Sequence, residues 1–240
     1  MEAYRFNYFT LPLGKILRMA FIHLNGLLAF MLLSCIAVAQ NPEQTGEDSW
    51  ELKKEEEGVQ VFIRNYKDTK LLEFKAISEV PASLSTLISV IRDMEDANEL
   101  FAASKEAKLV KKVNELEWLI WSYIDAPFPC DDRDMVVRMS LSQDKVSGVV
   151  TIDIASDPEA IPEKKSMVRI PLVDGSITYI PLAKNQTRVV YQNVTDPGGL
   201  IPTWIINMGV IKAPFETLQN YRRLCEKEKH QDVQFDFIEE

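Results

Sequence analysis

Asp196-Pro197-Gly198-Gly199-Leu200-Ile201-Pro202-Thr203-Trp204-Ile205-Ile206-Asn207 is the stretch on which the fold turns. Pro197 and the paired glycines end the extended pattern before them. Pro202 suits a first helical turn, where no backbone N–H is needed. From there Ile201, Trp204, Ile205, Met208, Ile211, Phe215 and Leu218 recur at three- and four-residue spacing. That period predicts one long helix, from about Pro202 to Glu228, with a single apolar face. Pro214 removes one intrahelical hydrogen bond and predicts a kink within it.

Between Ala107 and Thr195 the pattern is repeatedly extended. Strands are expected at Ala107–Val113, Leu116–Ile124, Asp134–Leu141, Gly148–Ala155, Met167–Leu172, Ser176–Leu182 and Thr187–Thr195. Asn, Asp, Gly and Pro punctuate the turns between them. Further upstream, Val59/Val61/Ile63 and Leu72/Phe74/Ala76 predict a hairpin. Leu84, Leu87, Ile88 and Ile91 predict a helix, with a shorter one near Glu95 to Ala103. Trp50 to Glu57, rich in Glu and Lys and closed by Gly58, reads as an opening helix. Residues 229–240 read as a frayed acidic tail. Helices, a long antiparallel meander and a final helix describe one α+β domain over 46–228.

The amino terminus has its own signature. Lys15 and Arg18 precede an apolar run, Met19 to Ala39, that ends in Ala37-Val38-Ala39 before Gln40. A basic flank, a short apolar core and small residues at −3 and −1 predict a signal peptide over 1–39, cleaved near Ala39. An uncleaved anchor and lipidation at Cys35 are the alternatives. All three place the domain outside the cytosol, periplasmic or secreted. There Cys130 and Cys225 either pair or remain two unrelated buried thiols.

Composition excludes several functions. The chain has 27 basic and 36 acidic residues. Setting aside Glu2, Arg5, Lys15 and Arg18 of the first 39 leaves 24 against 35, a balance of −11. Nucleic acid is therefore not an expected partner. The two histidines are His23, in the leader, and His230, in the tail. Ser-His-Asp catalysis and a histidine metal cluster are not expected, and neither is a cofactor.

Four segments in order carry a resemblance. They are Trp50-Glu51-Leu52 with Gly58-Val59-Gln60-Val61, Pro127-Phe128-Pro129 with Arg133-Asp134, Met167-Val168-Arg169, and the Asp196–Asn207 block. Together they resemble the START family of lipid-transfer domains, and the last block is similar to its phosphatidylcholine-transfer-like members. The resemblance implies a helix-grip fold, in which a curved antiparallel sheet wraps around the carboxy-terminal helix and encloses a hydrophobic cavity. It implies non-catalytic binding of a lipid or other hydrophobic molecule, transient membrane contact and a monomer. An aromatase/cyclase-like enzyme and a structural or partner-binding envelope protein with a filled core are the rivals.

The ligand-facing candidates follow from pattern and resemblance together. Met135, Val137 and Met139 share one face of a strand, assigned to the cavity. Trp121 and Tyr123, with Tyr191 and Asn193, are candidates to cage a cationic head group. Arg169 is a candidate for a lipid phosphate, as is Arg138. Trp204, Ile205, Met208 and Phe215 are the bulky, adaptable side chains of a lid helix. Arg133-Asp134 reads as a structural clamp at a strand start. The acid–arginine pair of sterol-binding family members has no counterpart, because Met139 stands at the expected strand position.

Overall fold

The computed structural model describes residues 49–240. The leader and its cleavage site, with Cys35, lie outside the described residues. The alternating segments form strands, because side chains that point to opposite faces at every second residue let one face be dry. The elements are β1 (Glu51–Glu56), β2 (Val59–Asn65), β3 (Leu72–Val80), α1 (Leu84–Arg92), α2 (Met94–Leu100), β4 (Glu106–Lys112) and β5 (Glu117–Ile124). They continue with β6 (Arg133–Gln143), β7 (Val150–Ser156), β8 (Val168–Arg169), β9 (Leu172–Ala183) and β10 (Gln186–Asp196). The final helix comes in three parts: α3 (Thr203–Asn207), a π-helical turn (Met208–Lys212) and α4 (Ala213–Cys225). Among the described residues no helix is long and apolar enough to cross a membrane.

The strands form one sheet in the order β1-β2-β3-β10-β9-β7-β6-β5-β4, antiparallel throughout, with β8 added parallel to the start of β6. Trp50–Glu57 corrects the helix expected there. Glu51–Glu56 is an edge strand on β2, and Glu57 and Gly58 both have positive φ in the two-residue turn between them. Glu and Lys favour helix only weakly, and the pairing offered by β2 overrides that preference.

The register gives the sheet two distinct ends. Asn65 pairs with Leu72, Arg133 with Ile124, and Asp196 with Leu172 at one end, the near end. Loops 66–71, 125–132, 157–171 and 197–202 therefore all leave from there. At the far end Glu56 meets Val59, Val80 meets Thr187, and Gln143 meets Val150. The final helix starts from the near-end loop 197–202. At its other extremity Arg222 donates to the carbonyls of Glu57, Gly58 and Glu79, at the far end. The helix thus runs the length of the sheet, and the sheet curves around it.

One main core fills the concave side. Val59, Val61, Ala76, Val137, Met139, Leu141, Ile152, Ile154, Ile177, Tyr179 and Val189 supply the sheet's share; Phe215, Leu218, Tyr221 and Leu224 supply that of α4. Gly175 is required in β9, because a Cβ there would lie 2.2 Å from the Gln192 carbonyl oxygen.

The last dozen residues are a correction. They do not fray. Ile238 is 8% exposed and joins the main core, with Phe235 and Phe237 packed beside it. The Glu240 carboxylate accepts from the backbone N–H groups of Leu84 (3.1 Å) and Ser85 (2.9 Å), capping α1 alongside Ser83. Glu239 exchanges two hydrogen bonds with the Gln143 side chain.

His230 is also resituated. It is 1% exposed, with Nδ1 2.8 Å from Ser89 Oγ and Nε2 2.6 Å from Asp96 Oδ2. A Ser, a His and an Asp therefore do meet. Both ring nitrogens are engaged and the ring is sealed, so the trio ties the carboxy-terminal segment to α1 and α2. Lys227 pairs with Asp96 Oδ1, and Lys229 pairs with Asp93 Oδ2 and shares Asp96 Oδ2 with His230. Asp96 is held down to about 2. Burial alone works against its charge, and hydrogen bonds from Lys227, His230 and Lys229 outweigh it.

Candidate functional site between the sheet and the final helix

The two halves of the final helix are anchored very differently. In α4 seven residues are buried. Tyr221 and Tyr179 share a 2.6 Å hydroxyl hydrogen bond, the Lys54 ammonium sits 3.9 Å above the Phe215 ring, and Arg222 pins the far end. The preceding ten residues, Thr203–Lys212, bury none. Trp204 is 49% exposed and Met208 40%, while Ile205 is half-buried. Pro214 accounts for the transition. It has no N–H to offer the carbonyl one turn back, and the Ala213 N–H instead reaches Met208, closing a wider π-helical turn. The expected kink is thus a widened turn.

Beneath this weakly held half lies the near-end portion of the concave face. Met135, Val137 and Met139 of β6 lie on that face, as the sequence pattern predicts. Tyr191 and Asn193 of β10 lie on it too, opposite Ala76 and Phe74. Tyr191 stands edge-on to Phe74 (4.9 Å) and Phe101 (6.3 Å). Burial pushes its hydroxyl far above its ordinary value, yet its side chain retains accessible surface and its hydroxyl has no partner among the described residues. Asn193 is buried and accepts from Thr195 Oγ1 at 2.9 Å. Phe215 belongs to the buried half of the helix.

Four candidates lie elsewhere. Trp121 and Tyr123 are on the convex face, in a small cluster with Leu119 and Val136. Arg169 joins them. It is buried against Asp134 (Nε to Oδ1, 2.9 Å; Nη2 to Oδ2, 2.9 Å), and Trp121 Nε1 donates to the same carboxylate at 2.8 Å. Asp134 is held low: hydrogen bonds from Arg169 and Trp121 outweigh the opposing effect of burial. Trp121 does meet a cation, but it is the protein's own Lys164, 3.7 Å above the ring. These residues clamp β8 to β6 and do not face the helix. Arg138 is on the same convex face, paired with Glu117 and Asp157.

The strand that carries Trp121 has a second tryptophan of opposite parity. Trp118 faces the main core. Its indole N–H is buried without a partner among the described residues. Arg133 was read as part of a clamp with Asp134, but successive residues point to opposite faces. Asp134 turns out to Arg169, and Arg133 turns in, beside Met135. Cys130 and Cys225 are both free thiols, and burial raises Cys225 to about 12. Exposed apolar side chains crowd the near-end loops: Phe128 is 93% exposed and Leu200 98%.

Comparison with known proteins places this geometry. The START domain profile matches residues 33–230. An uncharacterised protein of Pseudomonas aeruginosa is 30% identical over 204 residues, covering 85% of this chain and all of the relative. The phosphatidylcholine transfer protein of Mus musculus is 26% identical over 198 residues, 78% of this chain and 91% of that one. Among solved structures, a fragment of a STAR-related lipid transfer protein from Xanthomonas axonopodis superposes with a TM-score of 0.69 at 30% identity. It covers 75% of this chain and all of the fragment. A curved antiparallel sheet gripping a carboxy-terminal helix, and a family match spanning most of its length, make this chain a member of the START domain family.

Proposed function

We propose that the domain binds one lipid, or a comparable hydrophobic molecule, between the concave face and the final helix, and hands it on without chemical change. The observation that carries this is the divided helix. Thr203–Lys212 buries nothing of its own, although it lies over an apolar face where Tyr191 is deep yet accessible. An apolar ligand supplies the missing contact. Met135, Val137, Met139, Tyr191 and Asn193 line the bound molecule, and Trp204, Ile205 and Met208 close over it. Membrane docking fits the same end, where Phe128, Leu200 and Trp204 expose apolar surface beside the lid. Relatives named as lipid transfer proteins support the ligand class. The leader pattern supports action outside the cytosol.

The test is native mass spectrometry of the purified domain, followed by lipid extraction. One co-purifying lipid per chain is expected, exchangeable with vesicles. A protein that emerges empty and neither takes up nor releases a fluorescent fatty acid or phospholipid would refute the reading.

A further inference from the structure

Five charged side chains of the described residues are buried, and four are paired. Glu73 has Arg64 at 2.5 Å and Gln192 at 2.5 Å, Asp96 has Lys227 at 2.6 Å, and Asp134 and Arg169 have each other. The fifth is Arg133, 5% exposed. Its Nη1 turns back to the Asp131 carbonyl, and its Nε is fully buried with no hydrogen-bond partner among the described residues. No carboxylate among the described residues makes an ion pair with it. A guanidinium removed from water without a counter-charge is strongly disfavoured, and proteins bury arginine where an anion answers it.

The position says where that anion is. Arg133 opens β6 at the near end and shares its inward face with Met135, Val137 and Met139. Its neighbours across the sheet are Ile124 on β5 and Val168 on β8, with Ile170 of the main core just beyond. Loop 197–202 closes over this corner, since a Cβ on Gly198 would lie 3.2 Å from Val168. With Nη1 committed to Asp131, the Nε–Nη2 edge remains, and that edge is the parallel fork which binds an oxyanion through two oxygens. We infer that Arg133 is a head-group anchor, and that the molecule this domain carries is an amphiphile bearing a carboxylate or phosphate. The charge meets Arg133 at the near end of the sheet, and the chain runs inward over Met135, Met139 and Tyr191.

This inference rests on the lipid-carrier reading, and one experiment separates the two. The full chain is titrated calorimetrically, at pH 8, with a sixteen-carbon fatty acid, the corresponding alcohol, the matching lysophosphatidate and inorganic phosphate. The acid and the lysophosphatidate are expected to bind at least roughly tenfold more tightly than the alcohol. Inorganic phosphate alone is expected to give no heat, because the chain supplies the rest of the affinity. Arg133→Gln should bring the acid down to the affinity of the alcohol while the alcohol is unchanged, and Arg133→Lys should keep part of the preference. Ligand-free Arg133→Gln should melt no lower than the parent, because an unanswered buried charge has gone.

Equal binding of acid and alcohol by the parent, or a preference that survives Arg133→Gln, overturns the anchor and leaves the carrier reading standing. Phosphate binding alone as tightly as the lysophosphatidate also overturns it, in favour of a free-anion site. If no chain binds, it is the carrier reading that fails. The comparison on the parent requires no variant to fold.

Discussion

Ile238→Ala tests whether the carboxy-terminal segment is part of the fold. Ile238 is 8% exposed and sits in the main core, with the stacked rings of Phe235 and Phe237 (5.0 Å) beside it and the Arg92 guanidinium 5.3 Å from Phe237. Truncating a buried isoleucine costs about 2–5 kcal/mol, and a position at the margin of the core belongs at the lower end, about 2 kcal/mol. For a domain of this size each kcal/mol shifts the melting midpoint by about 2–4 °C, so a fall of roughly 4–8 °C is expected. Glu240→Ala removes the carboxylate that caps α1 through Leu84 and Ser85, worth about 1 kcal/mol. The two sites are neighbours, so their effects need not add. Asp236, exposed in the same segment, is the control, and Asp236→Ala should leave the midpoint unchanged. Thermal and urea unfolding followed by circular dichroism provide the measurement. If Ile238→Ala and Glu240→Ala both melt within a degree of the parent, the segment is frayed and Ser83 alone caps α1.

Arg169→Met leaves the Asp134 carboxylate buried beside Trp121 with no cation within hydrogen-bonding reach, and should cost about 3–5 kcal/mol in urea unfolding; a loss below 1 kcal/mol would mean water replaces the arginine. Because Asp96 titrates at about 2 when folded against its ordinary 3.8, its contribution is complete above about pH 4 and is lost as pH falls towards 2. Asp96→Asn should flatten that part of the stability–pH curve, and an unchanged acid limb would place the titration elsewhere. Trp204→Ala should raise the lipid off-rate, measured by transfer between vesicles, with little change in melting, since the ring is half exposed; a normal off-rate would move the gate to loop 125–132. Amino-terminal sequencing of the protein from the cell envelope should begin at or near Gln40, and an intact Met1 in a soluble cytosolic fraction would contradict export.

How much of this was written in the sequence varies with the range of the physics involved. Period-two alternation reports a strand with one dry face, and it located β2–β7, β9 and β10 to within a few residues. The final helix was equally plain, because Ile201 to Leu218 hold a helical period over several turns. β1 was not legible. Its Glu and Lys are edge-strand chemistry only once β2 is known to lie beside it. Nor was the parity of β5. Trp118 and Trp121 differ by three positions and so lie on opposite faces, but which one faces inward depends on the register across the eight-residue loop 125–132. Arg133 and Asp134 were visible as a pair, yet adjacent residues of a strand cannot serve one site. Their separation sends one to Arg169 and the other towards Met135. Ile238 was hidden because Val233, Phe235, Phe237 and Ile238 are interleaved with acidic residues over too short a stretch to show which of them reaches the core.

The π-helical turn at Met208–Lys212 has a consequence for cooperativity. One continuous helix is divided between two folding units. Amide protons of Ala213–Cys225 are expected to share the global stability of the core, through Leu218, Tyr221 and Leu224, and those of Thr203–Lys212, which bury no residue, to exchange through a local opening. On the lipid-carrier reading proposed above, release of cargo and loss of fold are then governed by separate barriers. A substitution that stiffens the core should then leave the turnover of cargo untouched, and one that loosens the first ten residues of the helix should speed turnover without shortening the life of the protein.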